Sequence, residues 1–137
     1  MSLTVTRDRS GPMRQRIRIR DHELVADEPP SNGGEDSGPT PHDLYDAAIG
    51  ACKALTLVWY ARRKGMALDD VQVEIERDDS QEANGVYRLR AALTLGGALS
   101  DADRERLLQV ADKCPVHRLM TQVRTEIETV WAEPPSE

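Results

Sequence analysis

The chain of 137 residues contains no phenylalanine, and tryptophan and tyrosine together make up only 4% of it. A core without large aromatic blocks must be built from Leu, Val, Ile and Ala. Positive charge is also in deficit. The formal net charge is −6, and such a surface repels phosphates, which argues against a nucleic-acid partner. The N-terminal Met1–Asp8 lacks the apolar run of a signal peptide. The most apolar stretch is too short to span a bilayer and is interrupted by Lys53. These absences point to a cytoplasmic protein with no membrane attachment. Cysteine is scarce, with only Cys52 and Cys114 present. The length fits one domain, residues 1–137. A permanent structural disulfide is disfavoured in the cytoplasm, so the thiols are inert core residues, a redox pair or metal ligands.

What is present is organised around Thr40 to Gly65. Thr40 is placed to cap a helix, Pro41 suits its first position, and Asp43 can return the bond as in a capping box. Arg62, Arg63 and Lys64 complement the negative end of the helix dipole, and Gly65 suits the left-handed residue beyond it. A helix of this length is roughly 36 Å long. Its middle is apolar on nearly every side, with the stripe Leu44, Ala48, Ala51/Cys52, Leu55 and Trp59 carrying one of the two cysteines. It is therefore expected to be the buried centre of the fold.

Residues 3–7 alternate weakly. Met13 to Ile19 alternates clearly, with Arg14, Arg16, Arg18 and Arg20 on one face, and Glu23 to Ala26 returns after a turn at Asp21-His22. Those arginines are a solvated face or a row of cations near a thiol or anionic ligand. Asp27 to Pro39 is a loop rich in turn formers. After the long helix, Val71–Glu76 and Val86–Leu95 read as an antiparallel pair around Asn84-Gly85. Ser100 opens a further helix, which must break near Cys114 because Pro115 follows it. A short helix then runs from Pro115 to about Thr121, and Val123 to Trp131 alternates as a final strand, followed by a tail. The order β-β-β-α-β-β-α-(α)-β is an α+β fold with mostly antiparallel sheet packed on a long central helix.

Cys114 sits at the cap of a short helix, where free backbone N–H groups favour a thiolate, with Lys113 and Arg118 close in sequence. Cys52 lies mid-helix on an apolar face, and nothing local to its helix clearly supplies it with a cation or donor. A metal site would use Cys52, Cys114, His117 and His42. Small zinc sites usually bring two local ligand pairs, and only Cys114-x-x-His117 is available. His117 reads more simply as a cap or surface residue beside Cys114, and no nucleophile elbow is present for a serine hydrolase.

Gly38-Pro39-Thr40-Pro41-His42-Asp43-Leu44, Ala47-Ala48-Ile49-Gly50-Ala51-Cys52 and Lys113-Cys114-Pro115-Val116-His117 resemble the OsmC/Ohr family of peroxide-reducing thiol proteins, in its OsmC-like branch. The resemblance implies an intertwined homodimer with active sites at the subunit interface. It also implies a peroxidatic Cys52, a resolving Cys114, no bound cofactor or metal, and an external dithiol reductant, lipoyl-type in some members. The implied substrate is a hydroperoxide, with organic ones favoured by the apolar surroundings of Cys52. Family peroxidases orient a catalytic arginine with a glutamate ten residues before the first cysteine. Here that position is His42, with Asp43 as the nearest acid, and Glu23 to Tyr60 contains no arginine. Arg16, Arg18 or Arg20 from either subunit, together with His42, Asp43 and His117, are the candidate supporting residues. The alternative is an OsmC-like protein without turnover that binds an apolar or electrophilic small molecule in the same pocket.

Overall fold

A computed structural model describes residues 2–132. The first sheet is an antiparallel meander of β1 (Leu3–Arg7), β2 (Gln15–Ile19) and β3 (His22–Ala26). Ile17 stands opposite both Val5 and Leu24. β2 alternates as its sequence requires, with Gln15, Ile17 and Ile19 half-buried and Arg16 and Arg18 exposed. The tight turn falls at Arg20-Asp21, one residue earlier than the alternation suggests, with Arg20 at φ 54.

The loop that follows is a built structure, although its composition signals only turns. Asp27 is its hub. Its carboxylate accepts the backbone N–H groups of Glu28 at 2.8 Å, Glu35 at 3.3 Å and Ser37 at 3.0 Å, and also the Ser37 hydroxyl. Gly34 is needed there because a Cβ would lie 1.9 Å from the Glu28 carbonyl oxygen. The donors, those of Ser37 foremost, hold the Asp27 carboxyl down to about 2. Because the folded value is depressed, the stabilisation is present above the unfolded carboxylate range and is lost as pH falls toward 2. Asp27→Asn turns amide protons toward N–H donors, so its melting temperature should fall below wild type at neutral pH. Thermal unfolding should show that gap closing near pH 2; a gap constant with pH would remove Asp27 from the acid response.

α1 (Pro41–Lys64) begins with the Thr40–Asp43 capping box in both directions and ends on Gly65 at φ 67. β4 (Asp70–Asp78) and β5 (Arg88–Gly96) pair antiparallel over their full length. α2 (Asp101–Ala111) opens on a second capping box, Ser100–Asp103, and α3 (Pro115–Thr121) has Cys114 as its N-cap. The core lies where α1 meets α2 and the β4–β5 sheet, centred on Leu57, Ala61, Leu107, Val110 and Ala111. Burying one such leucine stabilises by about 1.5–3 kcal/mol. No helix among the described residues is long and apolar enough to cross a membrane.

One expectation is corrected. Val123–Trp131 joins no sheet among the described residues and is exposed, with Trp131 at 89%. Alternation marks a strand, but a strand needs an edge to pair with. α1 is central, but the described residues of one chain do not enclose it on all sides. Asp46, Ile49, Lys53, Leu57 and Ala61 face inward, whereas the stripe with Leu55 at 70% and Trp59 at 58% exposure stays uncovered. The tail positions 133–137 lie outside the described residues.

Candidate functional site

The break that Pro115 imposes between α2 and α3 sets the site. It turns the chain so that the first turn of α3 meets the middle of α1. The Val116 N–H, free because it lies in a first helical turn, donates to Cys52 Sγ at 3.5 Å. Cys52 is half-buried and Cys114 fully buried, both as free thiols. Both cysteines stand at the head of α3: Cys114 is its N-cap, and Cys52 takes the N–H of Val116, two residues on. Burial pushes the Cys114 thiol up, and the neighbouring Cys52 adds to this; the His117 N–H and the Lys53 charge oppose it. The helix-end N–H thus favours a Cys114 thiolate as expected, but desolvation outweighs a helix of only two turns and the net push is upward. Lys113 and Arg118, the cations near it in sequence, are exposed.

The cation at the site is Lys53, which reads in the sequence as an interruption of the apolar helix. Its Nζ donates to the Ala111 carbonyl at 2.9 Å, lies 3.0 Å from His117 Nδ1 and stands 3.6 Å from Asp112 Oδ1. Lys53 and His117 line a cleft of about 900 Å³, together with Tyr45, Ile49, Arg77 and Tyr87. Ile75, Leu89 and Met120 supply much of its apolar wall.

Farther along α1 the cleft contains a second polar cluster. Arg77, on β4, donates through Nε to Asp46 at 2.5 Å and through Nη2 to Asp43 at 2.7 Å. The other Asp46 oxygen accepts the Tyr87 hydroxyl at 2.6 Å. Burial, reinforced by Asp46, pushes the Tyr87 phenol up to about 12. The carboxylates hold the Arg77 guanidinium well above its ordinary value. Asp46 lies six residues before Cys52, about 9 Å along the helix, so this cluster faces the cleft without reaching the sulfur.

Of the candidate supporting residues, Asp43 belongs to the Arg77 cluster and His117 to the Lys53 cluster. His42 pairs instead with Glu82 at 2.9 Å and packs edge-on against Tyr87. Ten residues before Cys52, it is about 15 Å away along the helix. Arg16 pairs with Asp8 at 3.4 Å and Arg18 donates to the Arg20 carbonyl, so within one chain these three arginines serve the first sheet. Sequence reading missed Lys53, Asp46, Arg77 and Tyr87. A lone lysine on the inward face of an apolar helix is the one signal that could have been followed.

The family profile described as OsmC-like protein matches residues 34–129, which include all of α1 and both cysteines. A sequence search of curated proteins gives no match. Among solved structures, the OsmC-like protein of Mycoplasma pneumoniae superposes with a TM-score of 0.70 at 16% identity, over 89% of this chain and 87% of that one. An organic hydroperoxide resistance protein OsmC of Legionella pneumophila gives 0.62 at 22% identity, over 88% of each chain. The organic hydroperoxide resistance protein OhrB of Bacillus subtilis gives 0.58 at 18% identity, over 88% and 90%. The long helix with its central cysteine, the Cys-Pro head of α3 against it and a profile spanning both place this chain in the OsmC family.

Proposed function

We propose that the protein is a thiol-dependent peroxidase that reduces organic hydroperoxides, with Cys52 attacking and Cys114 resolving. The observation that carries this is that two free thiols from distant parts of the chain stand at one helix head, Cys114 buried as the N-cap of α3 and Cys52 half-exposed against the Val116 N–H. The Cys52 thiolate attacks the O–O bond, becomes a sulfenic acid and releases an alcohol. The Cys114 sulfur then displaces that oxygen as water, forming a disulfide that an external dithiol, such as a lipoyl group, reduces. The names of the Legionella and Bacillus proteins, both tied to organic hydroperoxide resistance, support the substrate class. The apolar wall of the cleft suits an organic peroxide better than a small hydrophilic one. Arg77, fixed by Asp43 and Asp46, is the guanidinium this chain offers to hold the far end of that substrate. The working unit is a homodimer whose second copy covers the exposed stripe of α1.

Steady-state consumption of dithiothreitol and dihydrolipoamide with cumene and tert-butyl hydroperoxide tests the proposal. Dithiol should disappear in proportion to peroxide, over many equivalents of protein. No consumption with any pairing would leave a protein that only binds a small molecule in the cleft.

A further inference from the structure

The resolving chemistry makes no use of the Lys53–His117 pair, although its position beside the thiols is costly to maintain. The Lys53 side chain is 6% exposed, and a buried ammonium persists only when it is well partnered. It offers protons and has no lone pair, so His117 Nδ1, at 3.0 Å, must accept. The neutral ring then carries its proton on Nε2. His117 lines the cleft and directly follows Val116, whose N–H marks the Cys52 sulfur. The one ring nitrogen left to a bound molecule is therefore a proton donor, carried one residue after the N–H that reaches the attacking thiol.

We propose that Lys53 and His117 form a proton relay to the leaving oxygen of the hydroperoxide that Cys52 attacks. The relay rests on the peroxidase reading. As the Cys52 thiolate forms its S–O bond, the O–O bond breaks and its electron pair departs on the alkoxide. The alkoxide takes the Nε2 proton while Nδ1 takes one from Lys53 Nζ, so the ring changes tautomer and never becomes an imidazolate. A thiolate and an ammonium are consumed; a sulfenic acid, a neutral alcohol and a neutral amine result, and charge is conserved. Lys53 regains its proton from water past Asp112, whose exposed carboxylate stands beside it. His117 is the group that touches the reacting oxygen, and Lys53 is a positioning residue that acts through it.

The test varies the leaving group. An alkoxide is a strong base and needs the proton, whereas the carboxylate released from a peroxyacid is a weak base and does not. Reduced wild type, His117→Gln and Lys53→Met are mixed rapidly with tert-butyl hydroperoxide and with peroxyacetic acid, and single-turnover thiol oxidation is followed. General acid help is worth about 10²–10⁴-fold, so the variants should lose at least about a hundredfold with the alkyl hydroperoxide. Their peroxyacid-to-alkyl rate ratio should accordingly rise at least about a hundredfold over wild type. An active wild type with an unchanged ratio in both variants overturns the relay alone. A wild type inert to both peroxides overturns the peroxidase reading, and the relay with it. Should the variants fail to fold, the ¹⁵N shifts of the wild-type imidazole decide: Nδ1 as acceptor supports the relay, and a protonated Nδ1 refutes it.

Discussion

Cys52→Ser should reduce peroxide consumption to background, whereas Cys114→Ser should leave one fast oxidation per chain and then stall or overoxidise. The order of the two thiols follows from their surroundings. Cys114 has no exposed surface, so a peroxide cannot reach it without opening α3, and burial makes its thiolate harder to form. Cys52 keeps part of its surface open to a peroxide, and the Val116 N–H donates to its sulfur. In wild type, one equivalent of peroxide should remove both thiols and give an internal Cys52–Cys114 disulfide, read as the loss of two protons in the intact mass. Overoxidised Cys52 beside a free Cys114 would refute the resolving role. Thiolate absorbance supplies a second check. In the Cys52→Ser protein, Cys114 should titrate above the ordinary thiol range, and a value below that range would reverse the order of attack.

Local signals were legible in the sequence, and pairings across the fold were not. The Thr40–Asp43 box and Gly65 set both ends of α1 because capping is decided within a few residues. Strict alternation located β2, β4 and β5 for the same reason. The Arg77–Asp46–Tyr87 cluster joins three elements, and its partners follow only from the β4–β5 register and the seating of that sheet on α1. Lys53 was misread because a charge in an apolar helix has two readings, a solvated break or a buried donor. The choice depends on whether an unsatisfied carbonyl, here that of Ala111 at the end of α2, lies opposite. The net upward push on Cys114 was hidden for a related reason: sequence reveals a helix end but not the depth at which it is buried.

The protein should run in light scattering at twice 15.3 kDa, even at sub-micromolar concentration, and Leu55→Asp with Trp59→Asp should abolish that state. One face of α1 rests on β4–β5 and α2. The opposite stripe, with Leu55 and Trp59, is left largely open by the described residues, with the Arg63 guanidinium 5.0 Å from the Trp59 ring. Leu3 and Val5 on β1, and Ile127, Val130 and Trp131 near the C-terminus, are exposed as well. A monomer seldom leaves a contiguous apolar patch above about 300–600 Å² in water. Among the described residues both sheets have open edges and 123–131 is an alternating segment that pairs with no strand, so a second copy can both cover the stripe and complete the sheets. An interface combining helix packing with added strands should bury about 2,000 Å² or more, in the range of obligate dimers. Two aspartates in its centre would be desolvated without partners, so the variant should appear as monomer or unfold, and its thiol chemistry should weaken in step. A wild type that is folded and monomeric at these concentrations would show that one chain tolerates the stripe in water, and the working unit would then be the single subunit.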